Sequence, residues 1–225
     1  MIEMKDLVLG YHKPITNPIN LKISDNKWLG VVGKNGIGKT TLFKTFLGII
    51  KPLRGEILIF NQKPENSNNL ISYIPQEREL NLPDKMTGYS LVKYTLSSPQ
   101  IKQQKKIDRN FLNNLIDLVD VGSYIHQPFL TLSGGQKKRI FLVQSLISQP
   151  KLLLLDEPLA DLDPKSKRAF IASLHRIREQ RELNVLMISH EMREVYQELD
   201  GFMHFSEQQL HYHKTIENLE SCLYV

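Results

Sequence analysis

Eight residues constrain this chain more than any others. Gly33-Lys34-Asn35-Gly36-Ile37-Gly38-Lys39-Thr40 matches the pattern glycine, any four residues, then Gly-Lys-Ser/Thr. It follows the apolar run Trp28 to Val32, which predicts a buried strand. It precedes Thr40 to Gly48, where Leu42, Phe43, Phe46 and Leu47 fall at helical spacing and Gly48 suits a C-terminal cap. A strand–loop–helix unit of this composition is a cradle for phosphate. Its glycines let the backbone turn tightly and aim N–H groups at phosphate oxygens. The helix adds the positive end of its dipole. Lys39 suits the β- and γ-phosphates as a point charge, and the Thr40 hydroxyl suits a Mg²⁺ ion. Gly33, Asn35, Gly36, Gly38, Lys39, Thr40 and Thr41 are therefore the expected nucleotide contacts.

A phosphate loop alone specifies neither the nucleotide nor the reaction. The chemistry also needs a carboxylate delivered at the end of a buried strand, to complete the metal's shell. Leu152-Leu153-Leu154-Leu155-Asp156-Glu157 supplies it. Parallel strands present their C-terminal ends to the ligand crevice. Asp156, closing the apolar run, suits the metal shell. Glu157 suits a base that polarises an attacking water.

Around these motifs strands alternate with helices. Ile2 to Leu9 and Ile19 to Ser24 predict strands separated by Asn17-Pro18, and Glu56 to Phe60 and Leu70 to Ile74 predict two more. From about Pro83 to Leu130 strand-like runs vanish, and Phe111, Leu112, Leu115 and Leu118 share one helical face. Gly134 to Ile147 predicts a helix and Pro164 to Glu179 another, with Phe170, Ile171, Leu174 and Ile177 on one side. Asn184 to Ile188 predicts a strand, Glu191 to Leu199 a helix, and Phe202 to Phe205 and Leu210 to His213 two short strands. This alternation implies an α/β fold, a mostly parallel sheet covered by helices, with the helical stretch inserted into it.

Composition narrows the class further. The 225 residues are 41% hydrophobic, enough for a sizeable core and too many for a disordered chain. No apolar run approaches the ~20 residues that cross a bilayer. The opening Met1-Ile2-Glu3-Met4-Lys5-Asp6 carries acids rather than a secretory signal. The one cysteine, Cys222, rules out an internal disulfide and points to a reducing cytosol. A net charge of +5 is spread over Lys102 to Lys106, Lys137 to Arg139, Lys165 to Arg168 and Arg176 to Arg181. These clusters are expected to be solvated helix faces. No aromatic residues alternate with them, so no nucleic acid partner is expected. Trp28 and His126 read as structural, and His211 and His213 as surface residues of a terminal strand.

Leu132-Ser133-Gly134-Gly135-Gln136 makes the pattern specific. It resembles the signature of the ATP-binding cassette (ABC) ATPases, and the resemblance extends over nearly the whole chain. It implies a P-loop NTPase core with a mostly parallel sheet, an N-terminal antiparallel β subdomain and an inserted α-helical subdomain. Residues 1–225 would form one ATPase domain, with 1–76 and 133–225 as core plus β subdomain and 77–132 as the insertion. ATP and Mg²⁺ are the implied cofactors. Ser133, Gly134, Gly135 and Gln136 would cover the γ-phosphate of a second, head-to-tail subunit. A serine and two glycines opening a helix fit that role physically, as another phosphate-binding helix N-terminus. Gln76, after Ile74-Pro75, resembles the glutamine that contacts Mg²⁺ and the attacking water. Leu162-Asp163 resembles the loop that crosses the dimer interface, and His190 the histidine that senses the γ-phosphate. Tyr11 lies where the family stacks an aromatic ring on adenine. The sequence departs from the family at Asp161, where small or hydroxyl residues are usual, and at Glu191, where Asp is commoner.

The resemblance implies an ATP-hydrolysing subunit at the cytoplasmic face of the membrane. Its partners would be a second copy on ATP binding, separate transmembrane permease subunits and possibly a substrate-binding protein. A groove at roughly Gln76 to Gln100 would receive the membrane partner. The stretch from Ile74-Pro75-Gln76 through Leu82-Pro83 to Thr87 is similar to ATPases of zinc and manganese importers. A soluble ABC ATPase of the iron–sulfur assembly type is the alternative, and a module that holds ATP without turnover is another. The chain ends soon after its last strands, so the regulatory C-terminal domain of some relatives is not expected.

Overall fold

The computed structural model describes residues 2–76, 82–98 and 109–217. The basic cluster Lys102 to Lys106 and Cys222 lie outside the described residues, as does part of the groove expected at Gln76 to Gln100.

The first sheet is antiparallel. Strand β1 (Ile2–Val8) lies between β2 (Ile19–Ile23) and β4 (Arg54–Ile59), with Ile2 opposite Ile23 on one side and Ile59 on the other. The second sheet holds β3 (Trp28–Val32), β5 (Ile71–Ile74), β6 (Leu152–Asp156), β7 (Asn184–Ile188), β8 (Gly201–Ser206) and β9 (Gln209–His213), in the order β5-β6-β7-β3-β8-β9. Its strands run parallel from β5 to β8, and only β9 pairs antiparallel, with β8. The expected mostly parallel sheet and the antiparallel β subdomain are therefore both present.

A parallel sheet covered on both faces should have central strands that are apolar throughout. Every residue of β3 and of β6 is buried. The two faces feed different cores. Leu153, Leu155, Val185, Met187 and Phe202 pack with Trp28 and the helical insertion, whereas Leu152, Leu154, Leu186, Ile188 and Met203 pack toward the antiparallel sheet. That second core also contains Leu42, Phe43 and Phe46 of α1 (Lys39–Phe46). Gly48, at φ 68°, ends α1: its N–H donates to Thr45 O at 3.1 Å and Ile49 N–H to Lys44 O at 2.9 Å. These paired bonds satisfy carbonyls that a helix end otherwise leaves open.

A single turn, α2 (Pro64–Ser67), leads toward β5. Between β5 and residue 133 the described elements are helical, α3 (Gly88–Leu96), α4 (Arg109–Val119) and a 3-10 turn at Phe129–Thr131. Thr87 caps α3 by accepting from Ser90 N–H at 3.1 Å. On α4, Leu112, Leu115 and Leu118 of the expected face are buried and Phe111 is partly buried, while Ile116 and Val119 are buried beside them. Helices α5 (Gly134–Leu146) and α6 (Pro164–Gln180) then flank β6 in the chain.

One element departs from expectation. The helix predicted over Glu191 to Leu199 is a single α turn, α7 (Met192–Val195), followed by a 3-10 turn at Tyr196–Glu198. The chain must re-enter the sheet beside β3. There Asp200 N–H donates to Trp28 O and Trp28 N–H to Asp200 Oδ2, each at 2.8 Å. Closing that short connection tightens the last turn.

Candidate nucleotide site

The loop between β3 and α1 turns through glycines at positive φ: Gly33 (146°), Gly36 (78°) and Gly38 (115°). Gly38 is where this freedom matters most. It stands at the start of α1 in the left-handed region, and a Cβ there would lie 2.9 Å from Ile15 Cγ2. No side chain caps α1, which leaves its first amides facing the loop. Lys39 folds back beneath them, donating to Gly33 O at 2.6 Å and Lys34 O at 3.0 Å. Burial pushes its ammonium below the usual lysine value, against the opposing pull of Glu157 and Asp156.

Strand β6 delivers the two carboxylates. Asp156 Oδ2 accepts from the Thr40 hydroxyl at 3.3 Å and from Tyr73 OH at 3.0 Å. Burial raises the Asp156 pKa, and those two bonds, with Lys39 and Lys44, hold it down. The same burial, with Asp156 alongside, raises the Tyr73 phenol, which keeps it a donor. A hydroxyl and a carboxylate converging here are a hard oxygen donor set, which fits Mg²⁺. Glu157, next in sequence, takes φ 48°, outside the strand conformation. Its N–H donates to Ile188 O at 2.9 Å and its Oε2 accepts from His190 N–H at 3.1 Å. Oε1 is buried and has no hydrogen-bond partner among the described residues, although His190 Nε2 lies 3.3 Å away. A buried acceptor left open is costly unless a ligand or water meets it.

These groups share one pocket of about 400 Å³. The loop and α1 contribute Asn35, Gly36, Gly38, Lys39, Thr40 and Thr41 to its lining; Asp156, Glu157, Gln76, Ile188 and His190 contribute the rest. Its size and its mixture of backbone, cationic and acidic groups suit a nucleotide with its metal. Gly33 lies behind the pocket, its α-carbon facing Phe205. Tyr11 does not line the pocket and is 53% exposed.

The signature residues do not reach this pocket either. Ser133 caps α5 in a reciprocal box: its hydroxyl accepts from Gln136 N–H at 3.3 Å, and Ser133 N–H donates to Gln136 Oε1 at 2.9 Å. Asp163 caps α6, with Lys165 and Ser166 N–H at 3.0 Å and the Ser166 hydroxyl at 2.6 Å; these bonds, led by that hydroxyl, lower its pKa. The two helix starts touch where a Cβ on Gly135 would fall 2.5 Å from Ser166 Cβ. Gly134 lies beside Leu162. Ser133 to Gln136 and Asp163 thus form a second surface of the chain.

Two residues escape the sequence reading. Tyr73 is on β5, three positions before Gln76, and only its pairing opposite Leu154 brings it beside Asp156. Lys138 was expected in a solvated basic cluster, yet its ammonium donates to Ala160 O at 2.7 Å and Glu157 O at 3.3 Å. Helical spacing carries a signal for it: Gly135, Phe141 and Leu142 share its face and are buried.

A sequence profile described as "ABC transporter" matches residues 16–160. The chain belongs to the ABC transporter family. ABC subunits of this kind are ATPases, and this chain is an ATP-binding ATPase. It is 33% identical to the high-affinity zinc uptake system ATP-binding protein ZnuC of Bacillus subtilis, over 89% of this chain and 88% of that one. It is 29% identical to the manganese transport system ATP-binding protein MntB of the same organism, over 85% and 78%. Among solved structures it superposes on cbiO1 of Clostridium perfringens, part of the ABC transporter complex cbiONQ, with a TM-score of 0.83 at 24% identity, covering 97% and 90% of the two chains. An inward-facing putative metal-chelate type ABC transporter gives 0.80 at 22%, covering 100% and 89%. At such identities these structural matches speak to the fold.

Among the described residues no helix is long and apolar enough to cross a membrane, and no group of three or more His, Cys, Asp or Glu could hold a metal ion. His213 stacks on Phe202 at 4.3 Å, and His211 lies 6.5 Å from His204.

Proposed function

We propose that this chain is the ATP-hydrolysing subunit of an importer for a divalent metal cation, peripheral to the cytoplasmic face of the membrane. The cargo rests on the zinc and manganese relatives. In this reading residues 1–225 are one ATPase domain, with 77–132 as its helical insertion. The observation that carries hydrolysis is the Glu157 carboxylate. Its Oε2 accepts from His190 N–H, its main-chain N–H is anchored on Ile188 O, and its Oε1 is buried with no hydrogen-bond partner among the described residues, in a residue that lines the pocket with Asp156.

Each residue's part follows from its position. Loop amides and the Lys39 ammonium bind the phosphates. Thr40, Asp156 and Gln76 hold Mg²⁺, which when bound neutralises phosphate charge. Glu157 accepts a proton from the attacking water, an effect worth roughly 10²–10⁴-fold in rate. His190 and Gln76 orient the γ-phosphate end of the pocket, and Tyr11 stacks on the base. Ser133 to Gln136 and Asp163, facing away from their own pocket, complete the site of a second copy. ATP would then favour the closed pair because it binds that state better. Permease subunits, and possibly a substrate-binding protein, complete the transporter.

Glu157→Gln tests the reading. It should retain nucleotide binding, lose turnover by about 10²-fold or more, and trap an ATP-bound dimer. Steady hydrolysis by that variant removes Glu157 as the base.

A further inference from the structure

We propose that Lys138 is a positioning residue for hydrolysis, its ammonium fastening α5 to the turn that carries Glu157. The inference rests on the proposed role of Glu157 as base. Lys138 follows the Ser133–Gln136 cap by little more than half a helical turn. Its side chain is half-buried and donates to two main-chain carbonyls, Ala160 O at 2.7 Å and Glu157 O at 3.3 Å. Those carbonyls bracket a turn that also closes on itself, through Ala160 N–H to Glu157 O at 3.2 Å. The turn needs such a fastening. Glu157 and Asp161 both take left-handed φ, 48° and 61°, which non-glycine residues seldom adopt without support.

The fastening bears on Glu157 directly. The peptide before Glu157 is held by its N–H on Ile188 O, and the peptide after it by Lys138 on its carbonyl. With both peptide planes fixed, the Cα–Cβ direction of Glu157 is fixed too, and the carboxylate is aimed at the pocket. Burial pushes the Lys138 ammonium below the usual lysine value, against the opposing pull of Asp161, Glu157 and Glu191. Through these contacts Lys138 of α5 meets the turn after β6 and the charge of Glu191, which Lys167 ties down at 2.7 Å, with Glu194 at 3.3 Å. A movement of the Ser133 end of α5 is thereby passed to the base in the same subunit.

The test is a graded series in the full chain: wild type, Lys138→Gln and Lys138→Met, with Glu157→Gln alongside. Gln is one bond shorter and keeps a donor for one carbonyl; Met keeps the stem and loses every donor. The expected order of kcat is wild type, then Gln, then Met, with Met down about tenfold or more and KM for ATP within about twofold throughout. Backbone hydrogen exchange at Ala160 and Leu162 should quicken in the same order. Wild-type kcat in either variant, or KM moving in step with kcat, overturns the proposal. If Lys138→Met does not fold, Lys138→Gln against wild type decides on the same criteria. Hydrolysis surviving in Glu157→Gln would instead overturn the reading of the base, a separate result.

Discussion

At the scale of single residues, the site is built by oxygen atoms whose direction is set by neighbours. Asp156 is oriented by two hydroxyls, Thr40 on α1 and Tyr73 on β5. Removing the phenolic hydroxyl leaves Asp156 buried with one donor fewer. Outer partners of metal ligands commonly contribute about 10–100-fold in metal affinity. Tyr73→Phe should therefore raise the Mg²⁺ concentration for half-maximal ATPase rate by about tenfold or more, with an unchanged fold by circular dichroism. An unaltered Mg²⁺ titration would show that Thr40 alone orients the carboxylate. Lys39→Ala should weaken nucleotide binding, measured with a fluorescent ATP analogue, because the loop loses its only lysine lining the pocket. Unchanged affinity would contradict the phosphate-loop assignment.

The residue scale also shows which chemistry sequence conveys. That the phosphate loop and Asp156-Glu157 would share a pocket was legible because local backbone and strand phase set their positions. Tyr73 and Lys138 were not, because their partners lie 83 residues away for Tyr73, and 19 and 22 away for Lys138. Charge clustering suggested a solvated Lys138, and a helical count of the buried face would have corrected it.

At the scale of elements, two predictions follow from how helices and strands begin and pair. Ser133 caps α5, and losing an N-cap costs about 1 kcal/mol, too little to unfold a domain of this size. Ser133→Arg should leave the melting transition within a few degrees and abolish ATP-driven dimerisation by light scattering, ideally in the Glu157→Gln background. A dimer that still forms would sink the composite site. The β8–β9 hairpin supplies a pH dependence. His204 is buried, and burial, then His211 and His213, lower its pKa. The unfolded chain thus binds more protons than the folded one as pH falls through the ordinary histidine value. Stability should decline from about pH 7 to lower pH, and His204→Phe should flatten that slope in thermal melts. An equal slope in both proteins would place the effect elsewhere. Elements with a strong apolar signal, such as the helical spacing in α4 and the unbroken runs of β3 and β6, matched their expectation. The run over Glu191 to Leu199 did not, because the return to β3 through Asp200 is a tertiary demand that periodicity does not contain.

At the scale of the molecule, Ser133 to Gln136 and Asp163 do not line the pocket, so in the proposed reading the chain's nucleotide-binding groups are divided between two places. No described helix crosses a membrane. For the proposed importer subunit, native fractionation should find the chain with membranes, released by strong salt or chaotrope. A wholly soluble distribution in its native cell would favour the iron–sulfur assembly type. Co-purification with a multi-spanning partner tests the same point from the other side.

The buried run in β6 has a property that its composition conceals, which is parity. Leu152 and Leu154 face the core containing α1, as Asp156 does when it meets Thr40; Leu153 and Leu155 face the other. The four leucines are chemically interchangeable, so they store hydrophobicity without storing phase. Deleting one of them would leave an apolar strand of almost the same character. It would also put the wrong acid opposite Thr40, giving a chain that folds and binds Mg²⁺-ATP poorly. The leucine run acts as a spacer whose odd or even length decides which carboxylate stands opposite Thr40.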